Sequence, residues 1–191
     1  MITPMRLGLF GGSFNPIHHG HLIAATRAAE AAKLDRVLFI PTAVSPLKNG
    51  RELAPVTARW AMLRLAVQGN PRFEACDLEI RRGGVSYTVD TLRELRRRTA
   101  ARLFWILGAD AARLLPRWKS IEEVRRLTSF VIVTRPGDRV PPKMPKDHII
   151  KAPLLEISSS EIRERVRRGL SVRYLLPDSV ERYVRRKGLY R

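Results

Sequence analysis

The sequence predicts an α/β fold, a doubly wound and mainly parallel sheet with a small helical portion at its C-terminal end. Short apolar runs rich in β-branched and aromatic residues alternate with stretches of helical period, the pattern of parallel strands joined by crossover helices. A glycine-rich turn follows the first apolar run and leads directly into a helix. In open sheets of this kind, ligands bind beyond the carboxyl ends of the strands, near the point where strand order reverses.

Each element is predicted from its own local pattern. The predicted strands span residues 6–10, 36–40, 73–76, 102–107, 130–134 and 149–152. The predicted helices span residues 21–33, 57–68, 88–98, 120–127, 161–168 and 178–187. Long or proline-punctuated loops are predicted over 41–55, 108–119 and 136–147.

Helix ends are predicted from capping residues. Ser120 with Glu123, and Ser158 with Glu161, match the capping box, in which side chains satisfy the free N–H groups of a first turn. Gly169 and Gly188 follow the last two predicted helices, at the position where glycine commonly ends a helix.

Length and composition predict one enzyme-sized unit over residues 1–191, with a C-terminal helical portion from about residue 158. The formal net charge of +18 favours polyanionic partners such as nucleotides or nucleic acid. Cys76 is the only cysteine, so an internal disulfide is excluded. The apolar runs are too short to span a bilayer and the N-terminus lacks the apolar core of a signal peptide. We therefore expect a cytoplasmic protein without a membrane partner.

The turn after the first strand is predicted to hold phosphates. Backbone N–H groups near Gly11, Gly12 and Ser13 can face an anion closely. The next helix adds its free N–H groups and the positive end of its dipole. Neither the Walker A pattern nor the dinucleotide fingerprint fits this stretch; His18 and His21 stand there instead.

Four further polar clusters follow predicted strands or open a predicted helix, at residues 41–48, 108–110, 134–137 and 157–163. Because parallel strands share one carboxyl edge, we expect these clusters to gather around a single site.

Together the segments GGSFNPIHHGH, SPLK, SYTVDTL, GAD, LLPRW, TRPG and ISSSEIR resemble the bacterial nicotinate mononucleotide adenylyltransferases. The resemblance runs from Arg6 to Gly188 and implies the Rossmann-like fold of the HxGH nucleotidylyltransferase superfamily. The HxGH signature alone marks only that superfamily, whereas SYTVDTL and LLPRW are more specific. Asn15 stands where many relatives carry aspartate.

The resemblance implies transfer of the adenylyl group of ATP to nicotinate mononucleotide, without a covalent intermediate, in NAD biosynthesis. It implies that Mg²⁺ binds through ATP phosphates, with no metal-binding side chains. It assigns catalytic roles to His18, His21, Lys48 and Arg163. It assigns ATP contacts to Gly11, Gly12, Ser13, Phe14, His18, His21, Gly108, Asp110, Arg135, Ile157, Ser158, Ser159 and Arg163. It assigns nicotinate mononucleotide contacts to Tyr87, Thr88, Trp118, Asp110 and Lys48.

Two alternatives stay open from the sequence. One is an adenylyltransferase for another phosphorylated acceptor, such as phosphopantetheine. The other is a basic nucleic-acid-binding protein, although 7% aromatic content, mostly within predicted strands and helices, argues against a stacking surface for specific nucleic acid. The oligomeric state is also open, a homo-oligomer included.

Overall fold

The computed structural model describes residues 4–46, 53–134, 138, 147–151, 153 and 156–191. Within them the chain forms a six-stranded sheet in the order β3-β2-β1-β4-β5-β6, with every pairing parallel. The strands are β1 (Arg6–Gly12), β2 (Arg36–Pro41), β3 (Phe73–Ala75), β4 (Arg102–Gly108), β5 (Ser129–Thr134) and β6 (His148–Lys151). The predicted doubly wound parallel sheet is confirmed, and strand order reverses between β1 and β4.

Helices cover both faces of the sheet. They are α1 (His19–Ala31), α2 (Val56–Val67), α3 (Leu78–Arg82), α4 (Thr88–Arg98), α5 (Ala109–Arg113), α6 (Ile121–Leu127), α7 (Ser159–Arg167) and α8 (Asp178–Arg186). Buried side chains of α1, α2, α7 and α8 form one hydrophobic cluster, and those of α3 to α6 form the other.

The period-two pattern of a strand explains how one sheet serves two cores. In β4, Phe104 and Ile106 join the first cluster, whereas Leu103, Trp105 and Leu107 join the second. A strand buried on both faces is a nearly continuous apolar run, which is why this strand was evident in the sequence.

The C-terminal helices belong to the same core as α1 and α2. Leu176, Val180 and Val184 are buried in the first cluster, and α8 packs on α2. No described helix is long and apolar enough to cross a membrane.

The two predicted glycine helix ends and the Ser158 half of the predicted Ser158–Glu161 capping box are confirmed. The Ser158 hydroxyl accepts a hydrogen bond from the Glu161 backbone N–H at 3.1 Å. Gly169 and Gly188 have φ of +66° and +60°, and the residues after them donate back to Arg165 and Val184 carbonyls, as in Schellman caps.

The predicted capping box at Ser120 is wrong. Ser120 lies in the left-handed region at φ 52°, ψ 45°, and its side chain makes no capping bond. The Glu123 carboxylate instead accepts hydrogen bonds from Arg93 at 2.6 and 2.7 Å, because a charged bidentate partner on the neighbouring helix is stronger than a local cap.

The prediction missed the two shortest helices, α3 and α5, and placed several strand and helix ends wrongly by one or two residues. Five residues are too few to display a hydrophobic period. β1, β2 and β4 also run one or two residues further than predicted, so Gly11, Gly12 and Gly108 lie inside strands.

Candidate active site

A cleft of about 880 Å³ opens at the carboxyl ends of β1 and β4, where the strand order reverses. Fourteen residues predicted as nucleotide contacts line it. They are Gly11, Gly12, Ser13, His18, His21, Tyr87, Thr88, Gly108, Asp110, Trp118, Ile157, Ser158, Ser159 and Arg163. The structure therefore brings together segments that are far apart in the sequence, as the shared strand edge predicts.

His18 and His21 lie together at the first turn of α1. Their ring centroids are 3.7 Å apart with planes inclined by 32°. His18 is the N-cap residue, only 5% exposed. Gly20 makes this arrangement possible, because a Cβ there would lie 3.0 Å from His18 Nδ1.

One hydrogen bond fixes the tautomer of His21. The His18 backbone N–H donates to His21 Nδ1 at 3.3 Å. A neutral imidazole that accepts at Nδ1 carries its proton on Nε2. His21 thus holds an N–H donor on its other ring nitrogen, in a side chain that lines the cleft.

Phe14 supports His21 rather than lining the cleft. It is 1% exposed, and its ring meets the His21 ring edge-on at 5.2 Å between centroids. Its φ of +43° is uncommon for a bulky residue, and burial of the ring among Phe10, Phe39 and His21 holds it there.

The glycines at the end of β1 allow neighbouring aromatic rings to pack closely against the backbone, besides leaving the backbone open to a ligand. A Cβ at Gly11 would lie 2.6 Å from the Trp105 ring, and one at Gly12 would lie 3.3 Å from the Phe14 ring. The space beside Gly108, by contrast, contains no atom within 4 Å. Close approach of a ligand therefore fits Gly108 best.

Asn15 is a hub that joins the loop after β1 to the C-terminal portion. Arg163 Nη1 donates to the Asn15 carbonyl at 3.1 Å. The Tyr190 hydroxyl donates to Asn15 Oδ1 at 2.9 Å, and the Ala54 backbone N–H donates to the same oxygen at 3.0 Å. Burial raises the pKa of Tyr190 above its ordinary value, with Arg163 and Arg59 opposing, so the phenol keeps its proton.

The start of α7 adds polar groups opposite the histidines. The Ser159 hydroxyl donates to the Pro16 carbonyl at 2.9 Å, which commits its single proton to the loop. The Ser158 hydroxyl accepts the capping bond from Glu161 and keeps its own proton to donate. Arg163 extends from the same turn into the cleft.

Arg59 is a site-supporting residue that the sequence analysis missed. It is 2% exposed, and its guanidinium donates to the carbonyls of Ser13, Thr42, Ala43 and Ala54 at 2.8 to 3.3 Å. Burial lowers its pKa from the ordinary value, although an arginine remains cationic at neutral pH. An arginine within a mostly apolar helix gives no sign in the sequence that it points inward.

The other half of the cleft is lined by aromatic residues. Trp118 is half-buried, and its indole meets Trp105 and Phe130 edge-on at 6.2 and 6.4 Å. Tyr87 and Thr88 lie at the start of α4. Trp118 therefore both packs on the core and presents part of its surface to the cleft.

Glu79 is a buried carboxyl in the wall of this aromatic half, and the sequence analysis missed it too. It is 2% exposed and accepts a hydrogen bond from the Thr91 hydroxyl at 2.6 Å. Burial raises its pKa, opposed by hydrogen bonds from Thr91 and Ser86 and by the charge of Arg82. Because α3 was not predicted, nothing in the sequence placed Glu79 here.

Asp110 lies at the rim, with its side chain 88% exposed and paired with Arg113. Two predicted site residues, Lys48 and Arg135, lie outside the residues that the structure describes.

Comparisons with known proteins agree with this geometry. A family profile described as cytidylyltransferase-like matches residues 9–165. A probable nicotinate-nucleotide adenylyltransferase of Thermus thermophilus is 49% identical over 192 residues, covering 98% of this chain and 100% of that protein. One of Acidothermus cellulolyticus is 43% identical over 196 residues, covering 97% of this chain and 94% of that protein.

The fold also matches solved structures. The nicotinic acid mononucleotide adenylyltransferase of Plasmodium falciparum complexed with NaAD is similar with a TM-score of 0.80, covering 97% of each chain at 20% identity. The structure of that enzyme complexed with APC gives a TM-score of 0.78 at 19% identity, again covering 97% of each chain. At such identity the likeness concerns the fold.

Arg59→Met should lower the free energy of unfolding by about 2–4 kcal/mol, because it leaves several buried carbonyls without their donor. Chemical denaturation of the full chain measures this. Arg64→Met is the matched control, since Arg64 is exposed on the same helix and its loss should cost less than about 0.5 kcal/mol. Equal stability of the two variants would contradict the supporting role of Arg59.

Proposed function

The chain belongs to the nicotinate-nucleotide adenylyltransferase family, and on this premise we propose how its cleft transfers the adenylyl group of ATP to nicotinate mononucleotide. A phosphate oxygen of the acceptor attacks the α-phosphorus, the bond to the bridging oxygen breaks, and pyrophosphate leaves. The products are nicotinate adenine dinucleotide and pyrophosphate. The observation that carries the proposal is the pair of stacked imidazoles at the first turn of α1, in the same cleft as Trp118.

The main physical obstacle is repulsion between two anions. Like unit charges about 4 Å apart repel by roughly 4 kcal/mol at an effective dielectric constant near 20. The nucleophile is already an ionised phosphate, so it needs no general base. Positioning and charge stabilisation are then the tasks left to the protein.

His18 and His21 act on the phosphates that are being separated. The Nε2–H of His21 is oriented by the bond at Nδ1, so little reorganisation is needed to donate to an oxygen that gains charge. The free N–H groups at the start of α1 add to the same positive end.

Arg163 and Ser158 hold the leaving phosphates from the opposite side. Arg163 is anchored by its bond to the Asn15 carbonyl, which fixes the guanidinium before the nucleotide arrives. We assign Lys48 to the same charge-stabilising role and Arg135 to the adenine, on the family pattern alone.

The acceptor nucleotide occupies the aromatic half of the cleft. Its pyridine ring stacks on the exposed part of Trp118, and donors of the Tyr87–Thr88 segment meet the ring carboxylate. Gly108 leaves room for a ribose, and Asp110 at the rim accepts from its hydroxyls.

Mg²⁺ would be held at this site by the phosphates of the nucleotide and not by a cluster of protein side chains. Within the described part of the chain, no group of three His, Cys, Asp or Glu side chains is placed to hold a metal ion. Mg²⁺ binds readily through phosphate oxygens and waters, where it neutralises charge when bound. We place the reaction in the cytoplasm, where ATP is available and a lone cysteine stays reduced.

The acceptor is tested by pyrophosphate release from ATP and Mg²⁺ with each candidate in turn. Nicotinate mononucleotide should support release, and phosphopantetheine should not. Release with phosphopantetheine alone would refute the proposed acceptor.

His21→Ala should lower kcat about 100- to 1,000-fold, the usual effect of removing one donor that stabilises developing charge. Steady-state pyrophosphate release measures it, and thermal unfolding should change far less. His19→Ala is the control, because His19 occupies the same turn without a proposed phosphate contact. Normal turnover in the His21 variant would rule out its assigned role.

Trp118→Ala should raise the KM for nicotinate mononucleotide about tenfold or more, because aromatic stacking is worth about 1–3 kcal/mol per base. The KM for ATP should remain nearly unchanged, and Trp118→Phe should restore much of the acceptor affinity. Equal losses for both substrates would mean that Trp118 acts only in packing.

A further inference from the structure

Lys119 follows Trp118 directly and carries a positive charge into the wall of the aromatic half of the cleft. Its Nζ lies 4.3 Å from the centroid of the Tyr87 ring, within the range of a cation–π contact. Its side chain is 50% exposed, and the residue lines the cleft together with Trp118 and Tyr87.

The Lys119 ammonium has a carboxylate neighbour at a distance that leaves its donors available. Asp90 Oδ2 lies 3.8 Å from Nζ, beyond hydrogen-bond length. Asp90 Oδ1 already accepts from Arg93 at 3.1 Å. A lysine ammonium has three donors, and a ligand carboxylate at this point would provide a closer partner than Asp90 does.

Glu79, Asp110 and Arg117 are further charged residues that line the cleft. Glu79 is buried, accepts a hydrogen bond from the Thr91 hydroxyl at 2.6 Å and lies 4.0 Å from the Arg82 guanidinium, which offsets its charge toward an acidic ligand. Asp110 is paired with Arg113. Arg117 precedes Trp118 and lines the cleft from an exposed position, so it is the natural competitor of Lys119 for the same anion.

We propose that Lys119 is a specificity-determining residue that selects an acceptor whose aromatic ring carries a carboxylate over one whose ring carries a neutral amide. The inference rests on the proposed function, in which the acceptor ring lies against Trp118. The two rings differ by a full negative charge at one substituent, and a half-exposed ammonium in van der Waals reach of Tyr87 is placed to read that difference.

The test compares nicotinate mononucleotide with nicotinamide mononucleotide as acceptors for the full-length enzyme at saturating ATP and Mg²⁺. In Lys119→Gln, the ratio of the two kcat/KM values should fall about fivefold to tenfold, as expected for loss of one partly exposed charge pair. The fall should come from the acidic acceptor. Lys119→Arg should keep the ratio within about twofold of wild type, because the charge is retained.

Two further measurements distinguish selection between the two acceptors from a general effect of the substitution on the fold or on ATP binding. The KM for ATP and the unfolding midpoint of Lys119→Gln should match wild type, since the residue is half-exposed. In Arg117→Gln, the acceptor ratio should also match wild type. A changed ratio in Arg117→Gln with an unchanged ratio in Lys119→Gln would transfer the role to Arg117 and overturn the proposal.

Equal losses with both acceptors in Lys119→Gln would also overturn it, because a charge that only attracts the common phosphate does not discriminate between rings. Absence of pyrophosphate release by wild type with either acceptor would refute the proposed function and this inference together. Normal wild-type release with an unchanged ratio in Lys119→Gln would refute the inference alone.

Discussion

The carbonyl groups that leave the ends of β1 and β2 must find donors, and Arg59 provides them from beneath the cleft. One buried guanidinium joins the carbonyls of Ser13, Thr42 and Ala54, which belong to the two connections that follow β1 and β2. An unpaired buried carbonyl is costly, so these loops are held in one arrangement as long as the cation stays. The backbone after β1, which we propose faces the phosphates, is therefore held in shape by a residue on α2 that is not among the residues lining the cleft.

A second network extends this constraint to the end of the chain. The backbone carbonyl of Asn15 accepts a hydrogen bond from Arg163, and its side-chain oxygen accepts hydrogen bonds from Tyr190 and the Ala54 backbone. This one residue therefore connects the loop after β1 to α7 and to the C-terminal residues. A side chain without an oxygen at this position would lose the bonds from Tyr190 and the Ala54 backbone. An aspartate could accept the same bonds, because each of these contacts ends on an oxygen of residue 15. The C-terminal helices thus complete the site instead of only adding to the core.

The sequence was sufficient for features that depend on period or on spacing along one segment. Continuous apolar runs such as that of β4 predicted the strands. Because parallel strands share one carboxyl edge, their order along the chain then predicted a cleft at that edge, and His18, Arg163 and Trp118 line it. Features that depend on distant partners were not accessible. Ser120 adopts a left-handed backbone and makes no cap, while the Glu123 carboxylate pairs with Arg93 from another helix. The Phe14 ring is buried against His21 and Phe39, contacts that no local sequence pattern indicates. The burial of Glu79 depended on α3, whose five residues show no period.

The net positive charge of the chain and the few fixed groups of the cleft have different effects on a nucleotide. Many arginines of this chain meet carboxylates at the surface, as Arg36 meets Glu74 and Arg167 meets Glu164, and such exposed pairs contribute little to stability. In the proposed mechanism, the remaining positive charge attracts anionic nucleotides without orienting them. Orientation comes from groups whose geometry is fixed before the ligand arrives. Arg163 donates one hydrogen bond to the Asn15 carbonyl, and His21 Nδ1 accepts one from the His18 backbone N–H. In the proposed mechanism, these bonds hold both side chains in place before the nucleotide binds, and this preorganisation lowers the free-energy cost of stabilising charge in the transition state.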